Sequence, residues 1–220
     1  MSKPYLEAVL WDMDGVIADT IQYHYGAWRD ILKTMGITLT LEEFRPLFGQ
    51  RHDNIIRYAL GSKLTHEQIE ALSDKKQALY RRRVAKDIRA LPGAIELIKA
   101  LNKNKIKISL ASSATKENVD VIIQGLGIEK YFQAFVNGTE VAEGKPSPLI
   151  FQLAAKKLGV PPADCVVLED AIAGVAAAKA GGMKCVAVTN SLPREKLKAA
   201  DLIVDSLEEV NIGVLKGLFS

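Results

Sequence analysis

Short apolar runs recur along the chain, with amphipathic stretches between them. The runs at 7–11 (EAVLW), 106–112 (IKISLAS), 134–138 (AFVNG), 165–170 (CVVLED), 184–189 (KCVAVT) and 201–205 (DLIVD) are rich in Val and Ile and apolar nearly throughout. That pattern predicts strands covered on both faces. The stretches at 93–104, 115–127, 147–159 and 171–182 instead repeat their apolar positions with helical spacing, and the last three end in glycine, a usual helix stop. Alternating strands and helices predict an α/β fold, a Rossmann-like parallel sheet with helices on both sides.

One interval breaks this rhythm. From Thr20 to about Ala90 no good strand occurs and helical patterns dominate. Ala27, Trp28, Ile31, Leu32 and Met35 fall on one helix face. The segments 41–49 (LEEFRPLFG), 54–61 (NIIRYALG) and 66–83 (HEQIEALSDKKQALYRRR) follow. The expected organisation is a core of residues 1–19 and 90–220 with a helical cap, 20–89, inserted after the first strand. Its two short connections suit a hinge.

Composition narrows the picture only a little. The chain has 220 residues, 48% hydrophobic and 25% charged, with a net charge of +3. A charge that small and dispersed argues neither for nor against acidic partners, and Arg81, Arg82 and Arg83 read as a solvated helix end rather than a nucleic-acid patch, so no nucleic-acid partner is expected. No run of about 18 apolar residues occurs, so no membrane-spanning helix is expected. Without an apolar leader, the expectation is a cytoplasmic protein, a monomer with no membrane partner. Cys165 and Cys185 lack metal-ligand spacing and read as buried thiols.

In an open parallel sheet, ligands bind beyond the C-terminal ends of the strands. The residues expected there are Asp12 and Asp14, Ser112 and Ser113, Lys145, and Glu169 and Asp170. No glycine-rich dinucleotide fingerprint follows the first strand, and no phosphate-loop motif is present. Neighbouring carboxylates repel and raise one another's pKa, so the cluster needs a compensating charge. Mg²⁺ fits, because it takes oxygen ligands together with substrate phosphate. A carboxylate beside such an ion can attack phosphorus, and a second one can move protons. Lys145 can offset the gathered negative charge, and Ser112 can donate to a phosphoryl oxygen. A phosphorylatable receiver module would share acids, a hydroxyl and a lysine on a parallel sheet, but the Asp-x-Asp spacing and the long insertion oppose it.

Taken together, DMDGVIADT (12–20), LASSAT (110–115), GKPSP (144–148) and LEDAIAG (168–174) resemble the four motifs of the haloacid dehalogenase superfamily, in order and across essentially the whole chain. The helical insertion is similar to that of the helical-cap subgroup, and within it the chain resembles the β-phosphoglucomutase branch and the related sugar-phosphate phosphatases. The resemblance implies Asp12 as nucleophile and Asp14 as general acid/base, with metal contacts from both. It implies Ser112 as the phosphate-binding hydroxyl, with Ser113 next to it, and Lys145 as the charge-balancing cation. Glu169 and Asp170 would hold Mg²⁺. The implied activity is phosphoryl transfer from a small phosphorylated substrate, first as a phosphatase and alternatively as a β-phosphoglucomutase.

The cap carries further candidates. His24 matches a histidine shared by phosphatases and mutases of this group. Lys76 aligns with a cap lysine of the mutase branch and shares a 3-4-3 register with Ile69, Leu72 and Leu79. Thr20, at the hinge, reads as a helix N-cap or a substrate contact. The segment LFGQRHDNII (47–56) resembles the mutase loop that reads substrate. That loop has a lysine before its glycine and an arginine three residues after it. Here Phe48 and His52 hold those places and Arg51 stands one position early, which favours the phosphatase.

Overall fold

The computed structural model describes residues 3–48, 52–61 and 64–220. Among these, the strands are β1 (Ala8–Trp11), β2 (Lys107–Ala111), β3 (Ala134–Val136), β4 (Cys165–Glu169), β5 (Lys184–Val188) and β6 (Leu202–Val204). They form one sheet in the order β3-β2-β1-β4-β5-β6, with every pairing parallel. The helices are α1 (Ile21–Thr34), α2 (Leu41–Phe44), α3 (His52–Leu60), α4 (His66–Asp87), α5 (Ala94–Lys103), α6 (Lys116–Gly125), α7 (Leu149–Leu158), α8 (Ile172–Ala180) and α9 (Ile212–Gly217). The Rossmann-like α/β reading of the sequence therefore holds. The chain divides into two compact units, residues 1–19 with 89–220, and residues 20–88.

In the first unit, successive side chains of a strand face opposite ways. Ala8 and Leu10 of β1 join Ala111, Ala134, Val136, Val167, Cys185 and Ala187 in one core beneath α7 and α8. The small strand residues meet alanines of those helices, Ala154, Ala155, Ala177 and Ala178, so helix and sheet backbones approach closely. The alternate residues Val9, Trp11, Ile108, Leu110, Val166, Leu168, Val186 and Val188 are buried as well. Both faces are thus covered, which is why the strands read as unbroken apolar runs. Cys165 and Cys185 are buried free thiols, and burial pushes Cys165 up to about 12.

The second unit is helical. Its core is Trp28, Leu32, Leu39, Phe44, Ile55, Ile56 and Ile69. Thr40 with Glu43, and Thr65 with Gln68, form reciprocal capping boxes that start α2 and α4. Two details differ from the sequence pattern. Met35 is exposed, because α1 stops at Thr34 and the chain turns at Gly36 with φ of +75°. The buried stripe of α4 is Ile69, Lys76, Gln77, Tyr80 and Val84, while Leu72 and Leu79 line an open groove shared with Ile31 and Met35 of α1. The facing surface of α1 sets that stripe, and spacing along α4 alone does not reveal it. No described helix is long and apolar enough to cross a membrane.

Leu10 is fully buried in the sheet core that carries the rim. Leu10→Ala is expected to lower unfolding free energy by about 2–5 kcal/mol, measured by denaturant titration. A loss below about 1 kcal/mol would contradict this packing.

Candidate active site

Strand order determines where a site can form. From β1 the chain crosses to β2 and β3 on one side, and β4 to β6 lie on the other. The C-terminal ends of β1 and β4 therefore flank a switch point, where a crevice opens. Trp11 is in register with Leu168, so the residue after each, Asp12 and Glu169, stand level. The Asp12 amide donates to the Leu168 carbonyl at 3.0 Å, which locks that alignment.

Lys145, in the loop before α7, reaches this point. Its Nζ donates to Asp12 Oδ1 and to Glu169 Oε1, each at 2.5 Å, and its side chain is only 9% exposed. The ammonium also lies 4.8 Å from the centre of the Phe151 ring, a contact favourable to a cation. Glu169 Oε2 accepts from the amides of Asp170 and Ala171 at 2.8 and 2.9 Å. Ser191 Oγ donates to Asp170 Oδ2. Asp12, Glu169 and Asp170 each present one oxygen within 4.8 Å of the others, and all three are buried.

Two glycines leave room for these carboxylates. Gly15 has φ of +83°, and a Cβ there would strike the Asp170 carboxylate and Ser191 Oγ. A Cβ on Gly174 would strike the Glu169 carboxylate. Gly15 and Gly174 are thus required by close approach, Gly15 also by its backbone conformation.

Three carboxylates face one ammonium. Burial, aided by Glu169 and Asp14, pushes Asp12 up to about 7 against the pull of Lys145. Burial and the neighbours Glu169 and Asp12 hold Asp170 well above the carboxylate range. Burial alone would depress Lys145, but Asp12 and Glu169 outweigh it and raise its pKa. The surplus of buried oxygen donors suits a hard divalent cation. Both Glu169 oxygens are already committed to Lys145 and to amides. Asp12, Glu169 and Asp170 are the residues that could hold the ion, and Asp12 Oδ2 and Asp170 Oδ1 lie outside the bonds just described.

The other rim residues take graded positions. Asp14 is half-buried on the turn after Asp12. Ser112 is buried at the end of β2, its amide donating to the Val136 carbonyl and its Oγ accepting from the Ala114 amide at 3.1 Å. Ser113 is exposed, its backbone against Gly138. In the helical unit, Lys76 is fully buried, with Nζ 2.6 Å from His24 Nδ1 and over the rings of Trp28 and Tyr80. His24 also stacks on Tyr80, with centroids 4.0 Å apart. A lysine without water access does not snorkel, so the apolar register of Lys76 reflects this polar and aromatic pocket. Thr20 precedes α1 without a side-chain cap. Arg51 lies outside the described residues.

The rim after β5 was not singled out from the sequence. Asn190 Nδ2 donates to the Gly15 carbonyl at 2.9 Å, and Ser191 holds Asp170. The rule that picked the ends of the other strands applies equally to Val188 and would have found them.

A profile of the haloacid dehalogenase-like hydrolases matches residues 6–182. The chain belongs to that family. It is 35% identical over 219 residues to β-phosphoglucomutase of Bacillus subtilis (strain 168), covering 96% of this chain and 94% of the relative. It is 30% identical to the phosphorylated carbohydrates phosphatase of Thermotoga maritima, covering 96% and 99%. The crystal structure of a CbbY mutant from Rhodobacter sphaeroides in complex with xylulose-(1,5)bisphosphate superposes with a TM-score of 0.86 at 27% identity, covering 96% and 99%. Its haloacid dehalogenase-like membership makes this chain an enzyme.

Cation binding at this hydrolase site requires ionised carboxylates. Asp12, raised to about 7, is protonated below that pH in the metal-free protein. Divalent-cation affinity is therefore expected to weaken as pH falls through 7, with more proton release on binding at pH 6 than at pH 8, since Asp170 is raised as well. Calorimetry in buffers of different ionisation enthalpy measures both. Affinity independent of pH across that window would contradict the raised Asp12.

Proposed function

We propose that this hydrolase is a Mg²⁺-dependent phosphatase of small phosphorylated metabolites, sugar phosphates foremost, acting through a phosphorylated Asp12. The observation that carries the reading is Lys145 bridging Asp12 and Glu169 inside the buried carboxylate cluster. Mg²⁺ held by Asp12, Asp170 and the backbone of Asp14 would supply charge neutralisation for the carboxylates and the incoming phosphate.

In the first half-reaction an Asp12 carboxylate oxygen attacks phosphorus and the bond to the leaving oxygen breaks. Asp14 gives its proton to that oxygen. Ser112 donates its hydroxyl hydrogen to a phosphoryl oxygen, and Ser113 lies beside it. Lys145 favours the ionised form of Asp12 and orients it, and it balances charge as the phosphoryl group transfers. In the second half-reaction Asp14 takes a proton from water, the water oxygen attacks phosphorus, and inorganic phosphate leaves with Asp12 restored. His24 and Arg51 are proposed to contact the rest of the substrate, with Lys76, buried beside His24, acting through that ring.

The mutase is the second reading, favoured by the Bacillus relative; there a sugar hydroxyl takes the place of water. The phosphatase ranks first because Phe48 stands before Gly49, where the mutase loop carries a lysine. Phe48 is half-buried against the rings of Phe44 and His24. Such a position offers no cation to a second phosphate.

The test is a panel of sugar phosphates with Mg²⁺, read for both phosphate release and isomerisation. Phosphate release should dominate, and Asp12→Asn should reduce it at least roughly a thousandfold in a folded protein. Glucose 6-phosphate forming from β-glucose 1-phosphate faster than phosphate appears would favour the mutase. Near-native turnover in Asp12→Asn would remove the nucleophile assignment.

A further inference from the structure

We propose that Ser191, on the turn after β5, is a positioning residue for the cation site. It would fix the Asp170 carboxylate so that one oxygen stays turned toward Asp12. The inference rests on the metal reading above. Asp170 is 2% exposed and follows β4, and its Oδ2 accepts from Ser191 Oγ. A carboxylate attached through a rotatable bond can swing its oxygens away from a ligand. One hydrogen bond at Oδ2 sets the carboxylate plane and reserves the other oxygen.

The turn that carries Ser191 is itself tied on two sides. The Asn190 side chain donates to the Gly15 carbonyl, which binds the turn to the segment that follows Asp12. Thr189 donates through its amide to the Val204 carbonyl and through Oγ1 to Asp205 at 2.8 Å. Arg194 donates to the Ile203 carbonyl and to Asp205 at 2.7 and 2.8 Å. Ser191 is therefore presented by a braced turn rather than a loose one. The missing side chain at Gly15 completes the fit, because a Cβ there would meet both Asp170 and Ser191. The Gly15 segment and the Ser191 turn thus both close on the Asp170 carboxylate.

The experiment is Mg²⁺ titration by calorimetry on metal-free protein, for wild type, Ser191→Ala and Ser191→Thr, with thermal melts of each metal-free form. Ser191→Ala should bind Mg²⁺ about tenfold more weakly while melting near wild type. Ser191→Thr keeps the hydroxyl and should recover most of the affinity. A purely structural role predicts a lowered melt with matching losses in both variants, and that pattern would overturn the proposal. Wild-type affinity in Ser191→Ala would overturn it alone, leaving the metal reading intact. A wild type that takes up no Mg²⁺ would overturn both.

Discussion

The site depends on one buried ammonium shared by two carboxylates. Lys145 stands between Asp12 and Glu169, and a third acid, Asp170, lies within reach of both. Removing one partner of such a buried pair typically costs about 3–5 kcal/mol, whereas an apolar replacement of the whole group is often neutral. The arrangement is therefore poorly explained as a source of stability. It gathers three carboxylates around one ammonium at a strand end, an oxygen-rich cluster of the kind that suits a divalent cation.

Everything close to the cluster is shaped by it. β1 and β4 lie side by side at the switch point, so their C-terminal residues stand level. Gly15 and Gly174 leave out the Cβ atoms that would strike Asp170 and Glu169. Phe151 gives the lysine an aromatic face while belonging to the core beneath the sheet. A helix packed for stability thus also places the cation, which links core packing to chemistry.

Much of this was legible in the sequence. The unbroken apolar runs mark strands covered on both faces, and glycine stops mark the helices between them. The rim acids, Ser112 and Lys145 follow from asking what comes after each strand. Other features depend on the fold. The buried stripe of α4 is chosen by its contact with α1, so Leu72 and Leu79 lie half-buried while Gln77 and Tyr80 turn inward. The partnership of Lys76 with His24 joins residues 52 apart in the chain. The division of labour between Glu169, whose oxygens are committed, and Asp170, which keeps one available, is a matter of hydrogen-bond geometry that residue type cannot reveal.

The central claim is that Asp12 takes the phosphoryl group covalently. The most direct measurement is acid quenching during turnover of a labelled sugar phosphate, followed by mass spectrometry of the peptides. The account predicts an acid-stable, base-labile phosphoryl group on the peptide containing Asp12, absent in Asp12→Asn. Steady turnover with no labelled enzyme, or a label on another residue, would contradict it.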